Sequence, residues 1–159
     1  MLTSSSDVVV LTVPFATAFE LAPQFLDGKI VIDTNHYYPD RDGSIDALDR
    51  RETKTSQLIA NHFQGATIIK AFKAILEKTS SILLHALPIG GDDAANKVIV
   101  TTLQADFGFD TVDVGPLADS WRFERAKPAY CIPLDKDGVI AALAAEERDK
   151  ELPEGSWRR

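Results

Sequence analysis

Five short runs of β-branched and apolar residues punctuate the chain, each closed by proline, glycine or a polar turn. Asp7 to Pro14 (DVVVLTVP) predicts a buried strand stopped by proline, and Lys29 to Asn35 (KIVIDTN) predicts a second. Ala66 to Phe72 (ATIIKAF), Ser80 to Ile89 (SSILLHALPI) and Phe109 to Val114 supply three more. Between them the period changes. Phe15 to Leu26 reads as a short helix ended by Asp27-Gly28, and Arg51 to Phe63 as a helix with Leu58, Ile59 and Phe63 on one side. Gly90-Gly91 reads as a helix-start turn before Asp92 or Asp93 as cap, and Ala95, Val98, Ile99, Leu103 and Phe107 then recur at helical spacing until Gly108. Asp137-Gly138 opens an alanine-rich helix over 138–150. The polar stretch Tyr38 to Arg51, holding Pro39 and Gly43, is expected to be a surface loop, and the tail beyond Pro153 to fray.

Short buried strands alternating with helices predict an α/β fold: a mostly parallel sheet with helices on both faces. The chain has 159 residues, 45% hydrophobic and 26% charged, which fits a single domain over 1–159. Its one cysteine, Cys131, excludes an internal disulfide framework and any cysteine-cluster zinc site, and fits a reducing cytoplasm. A formal charge of −7, with basic clusters no longer than Arg50-Arg51 and Arg158-Arg159, argues against nucleic acid as a partner. No apolar run approaches the ~20 residues of a membrane helix. Small-molecule chemistry or a protein partner remains.

In open parallel sheets ligands lie beyond the carboxyl ends of the strands. The residues just past the first three runs are Pro14-Phe15, Thr34-Asn35-His36 and Ala71-Phe72-Lys73. Each is ordinary alone, since Thr, Asn and Pro are common turn and cap residues. Taken in order, VVVLTVPF, GKIVIDTN and GATIIKAF, followed by ALPIGGDDAANK and GFDTVDVGPLA, resemble the NADP-dependent oxidoreductases that use the deazaflavin coenzyme F-420. They also resemble, more weakly, the reductase domain of the six-transmembrane metalloreductases. The resemblance covers about residues 7 to 130. It implies a Rossmann-like NAD(P)-binding fold and places Val13 and Pro14 along the nicotinamide ribose. It also sets Thr34 and Asn35 near the nicotinamide, and Ala71 and Phe72 along its far wall. Where the family commonly has Asn after Lys-Ala-Phe, this chain has Lys73, an ammonium suited to an anionic substrate or coenzyme. Hydride transfer between two cofactors needs alignment and dryness from the protein, so no catalytic acid, base or nucleophile is expected.

The family opens with a strand and a Gly-x-Gly-x-x-Gly turn. The nine glycines here, at 28, 43, 65, 90, 91, 108, 115, 138 and 155, make no such spacing. The chain therefore reads as a Rossmann-like domain lacking its first βαβ half, with weak or absent NADP binding. Two functions follow: an NADP-linked oxidoreductase impaired in holding its cofactor, or a non-catalytic remnant serving as a binding or dimerisation module. Without the missing half, the Asp7 to Val13 strand becomes an apolar edge, and a homodimer covering it is expected.

The remaining candidates are fewer. His36, beside Tyr37 and Tyr38 past a strand end, is a candidate for contact with a second substrate. His62 reads as solvated and His85 as a hydrogen-bonded core imidazole, and the three histidines have no metal-ligand spacing. Ser120 to Phe123 reads as a packed element in which Trp121 could stack on a flat ring. Cys131 reads as structural, and the charge run Glu146 to Asp149 as a solvated face.

Overall fold

The structure is a computed structural model that describes residues 7–73, 75 and 85–153. Five strands form one sheet in sequence order: β1 (Val8–Leu11), β2 (Ile30–Asp33), β3 (Thr67–Lys70), β4 (Ala86–Gly91) and β5 (Asp110–Gly115). Three of the four pairings are parallel, β1 with β2, β2 with β3 and β4 with β5, while β3 and β4 meet antiparallel over two positions. This is the expected α/β architecture, with one reversal in the sheet. The part of the expected fourth strand at 80–84, and the tail beyond Pro153, lie outside the described residues.

Alternation along the strands decides the layers. Val9, Val31 and Ile68 share one face, where they pack with Phe15 and Ala18 of α1 (Phe15–Ala18) and with Ile59 of α4 (Thr55–His62). Ile32, Ile69 and Ile89 share the other, against Val100 and Leu103 of α5 (Ala94–Asp106). A third cluster joins Ala86 and Val114 to Phe123 and to Val139 and Leu143 of α6 (Lys136–Ala144). Helices therefore cover both faces.

Several elements differ from their sequence reading. The helix expected over 15–26 is one turn, α1, followed by a 3-10 turn at Pro23–Leu26, because Pro23 cannot continue the α-helical ladder. The loop expected over 38–51 contains two single turns, α2 (Pro39–Asp42) and α3 (Asp46–Asp49). Gly90 and Gly91 are the last residues of β4 rather than a helix-start turn, and they pair with Lys70 and Ile69. The cap is Asp93, which accepts the Asn96 amide at 2.8 Å, while Asp92 accepts that of Leu117 at 2.9 Å. The last helix is Lys136–Ala144, capped by Asp135, rather than 138–150. Among the described residues no helix is long and apolar enough to cross a membrane.

Candidate functional site

Leu11, Asp33 and Lys70 lie in one row of the sheet, so β1, β2 and β3 release their chains side by side. The residues singled out in the sequence follow that row. Val13 packs on the core and Pro14 is exposed. The Thr34 hydroxyl donates to the Leu11 carbonyl at 3.2 Å and ties the first two strand ends together. Asn35 is 3% exposed. Its backbone amide donates to Asp33 Oδ1 at 2.9 Å, yet its side-chain Nδ2 and Oδ1 have no protein partner. A buried amide in that state costs about 1–3 kcal/mol for each unpaired group, so it marks a place where a complementary amide would be welcome.

Ala71 is fully buried, and Phe72 follows it in the left-handed region at φ 55°, held by edge contacts with Phe107 and Phe109. A bulky residue there costs about 1–2 kcal/mol, a strain that ligand sites often carry. His36 packs edge-on against Tyr130 at 4.9 Å, and its carbonyl accepts from Arg41 at 2.6 Å. Burial, and after it the cations Lys73, Lys70 and Arg41, push the imidazole far below its ordinary pKa, so it is neutral. Its Nδ1 is buried without a partner.

Beneath this row lies a charged network that the sequence reading did not identify. Asp33 and Lys70 lie two residues beyond Val31 and Ile68, so alternation aims them at α4. Lys70 Nζ donates to Thr55 Oγ1 and Ser56 Oγ, both at 2.6 Å, and forms ion pairs with Asp33 at 3.5 Å and Glu124 at 3.8 Å. Ser56 donates to Asp33 Oδ2 at 2.5 Å, and Glu124 Oε1 accepts the Thr55 amide at 3.0 Å and its hydroxyl at 2.6 Å. Burial pushes the Glu124 carboxyl up, but the Lys73 and Lys70 cations and the two Thr55 bonds outweigh it and hold the group below its usual range. The available signal was a lysine closing TIIK and an aspartate closing KIVID, polar ends that also suit plain strand termination.

Next to the network a cavity of about 330 Å³ opens, lined by Lys73, Thr55, Glu124, Tyr37 and Trp121. Five further basic side chains line it: Arg51, Lys54, Arg125, Lys127 and Arg148. Trp121 lies under Lys127 at 5.2 Å and Arg148 at 5.8 Å, so its ring is engaged by cations, while Ser120 and Phe123 are buried as expected.

Other candidates moved. His62 Nε2 donates to the Leu21 carbonyl at 2.9 Å and packs on Phe19 and Phe63, rather than standing free in solvent. His85 is half-buried just before β4. Cys131 is half-buried, at φ 51°, and burial raises its thiol pKa. Glu146 departs from the expected solvated face. Its side chain is 1% exposed, and burial pushes its carboxyl up to about 7 despite Lys127 at 4.0 Å.

No protein-family model matches the chain. A curated protein, YjhV of Escherichia coli (strain K12), is 41% identical over 58 residues, which are 36% of this chain and 42% of YjhV. The matched region thus spans less than half of that relative. Among solved structures, a hypothetical protein from Sinorhizobium meliloti, SMa0349, superposes over 84% of this chain and 68% of its own, with TM-score 0.67 and 24% identity. A "putative F420-dependent NADP-reductase" from Arthrobacter sp. FB24 matches over 71% of this chain and 57% of its own, with TM-score 0.58 and 20% identity. At these identities the likeness defines the fold alone, a Rossmann-like α/β sheet.

Proposed function

We propose that this chain supplies the nicotinamide side of a dinucleotide cleft in an NADP-linked oxidoreductase, moving a hydride between NADP and a deazaflavin or similar acceptor. The observation that carries the reading is Asn35. Its buried amide presents one free donor and one free acceptor at the end of β2, the complement of a carboxamide. Thr34 precedes it in the chain, and the paired strand β3 runs on into Ala71 and Phe72, the residues this reading assigns to the far wall. When bound, the nicotinamide would supply the hydride chemistry. The protein's part is to orient the ring through Asn35, to set the ribose along Val13 and Pro14, and to exclude water with Ala71 and Phe72.

No glycine spacing in this chain makes a pyrophosphate turn, so the grip on NADPH is confined to one half of the cofactor. Saturation-transfer NMR tests this directly. With reduced nicotinamide mononucleotide and with NADPH, the nicotinamide protons should saturate strongly and the adenine protons weakly, and Asn35→Leu should remove both signals. An adenine-dominated pattern, or signals untouched by Asn35→Leu, would refute the reading.

A second reading, a non-catalytic module that joins two copies of the chain, rests on a different observation. Among the described residues β1 stands at the edge of the sheet, and Val10 in its middle is 55% exposed.

A further inference from the structure

On a chain of formal charge −7, the cavity beside β2 and β3 gathers six basic side chains against three carboxylates. Most of these charges are already committed. Arg51 donates to the Asp149 carbonyl and pairs with Glu151 at 3.1 Å. Lys127 donates to three backbone carbonyls, those of Glu147, Arg148 and Lys150, and Arg148 covers Trp121.

Lys54 and Lys73 differ from the rest. They are 6% and 2% exposed, and among the described residues no carboxylate lies within 4.0 Å of either ammonium. Lys54 donates only to the Thr53 carbonyl, at 3.3 Å. Lys70 pairs directly with both nearby carboxylates, Asp33 and Glu124, while Lys73 feels those two only beyond ion-pair distance and stands beside the Lys70 cation. An ammonium buried without an ion-pair partner is costly and is tolerated where something else supplies the charge.

We propose that this cavity is an anion site that takes a small ligand by a compact dianion of the phosphoryl type, set between Lys54 and Lys73. Two ammoniums act as point charges rather than planar forks, which suits a tetrahedral group. The cavity volume lies at the small end of the range for ligand pockets, enough for such a group and a modest remainder. The site goes beyond the hydride reading and does not depend on it.

The groups facing Lys73 are Lys70 of β3, Asp33 of β2, Glu124, His36 and Cys131. Burial first, then Lys70, lowers the Lys73 pKa well below its ordinary value. A bound dianion favours the charged amine again, so binding takes up a proton, and affinity rises as the pH falls from alkaline toward neutral.

Calorimetric titration of the whole chain with inorganic pyrophosphate, with succinate as a second arm, tests the site. One saturable site is expected, tighter for pyrophosphate, with proton uptake visible as heats that differ between buffers. Lys73→Met and Lys54→Met should each weaken binding about tenfold or more, equivalent to about 1.4 kcal/mol. Lys97→Met, which removes a cation paired with Asp113 outside the cavity, should leave binding unchanged. Lys73→Met should also raise the thermal midpoint of the free protein, which separates lost binding from lost folding. Competition by NADPH would assign the phosphoryl group to the cofactor, and simultaneous occupancy would assign it to a second substrate; either sustains the site. Absence of saturable pyrophosphate binding, tighter binding of succinate, full affinity in Lys73→Met, or an equal loss in Lys97→Met would overturn it.

Discussion

Asp33 and Lys70 are wholly buried, at the ends of strands whose other residues are apolar. The pair survives burial because every contact is matched: Lys70 reaches two hydroxyls and two carboxylates, and Asp33 accepts from Ser56 and from the Asn35 amide. Removing one partner leaves the other charged and dry, so Asp33→Ala should cost about 3–5 kcal/mol in urea unfolding. Replacing both at once, as Asp33→Leu with Lys70→Met, should cost clearly less than the sum of the single variants. Additive losses would show that the pair is not coupled. At this scale the sequence was only half legible. Residues past the strands, Asn35 and Lys73 among them, were recognisable by position, because each apolar run is closed by a proline, glycine or polar residue. The Asp33–Lys70–Glu124 network was not, since it depends on which helix lands on which face and on a residue 54 positions further along.

Strand β4 shows what decides an element. Gly90 and Gly91 followed by two aspartates resemble the start of a helix, yet the ladder claims both glycines first. The reason is space. A Cβ on Gly91 would lie 2.5 Å from Ile69 Cδ1, in a fully buried side chain, and 3.4 Å from the Ile68 carbonyl. Gly91→Ala should therefore destabilise the protein by about 1–2 kcal/mol, readable by thermal or chemical unfolding, and an unchanged midpoint would contradict the close approach. The existence and type of the long elements were legible, because β1 to β3 are continuous β-branched runs and α5 carries a helical pattern. Boundaries were less so: α4 starts at Thr55 rather than Arg51, where Glu124 satisfies the first helical amide from outside the local sequence.

For the molecule as a whole, alternating strands and helices specified a layered sheet, but nothing local specified the reversal between β3 and β4, which depends on how the connecting chain crosses. Edge exposure bears on association. Val10 sits uncharged at the middle of β1, and association through that strand predicts a dimer by light scattering and a folded monomer for Val10→Lys. A wild-type chain that is already monomeric would remove this reading. The reversal has a further geometric outcome. With β4 and β5 running the other way, three strand mouths stand abreast, and at a spacing of about 4.8 Å they frame a shelf about 10 Å wide. A shelf of that breadth has room for one heterocycle with its sugar, so under the proposed function specificity at these mouths would be read from one ring at a time.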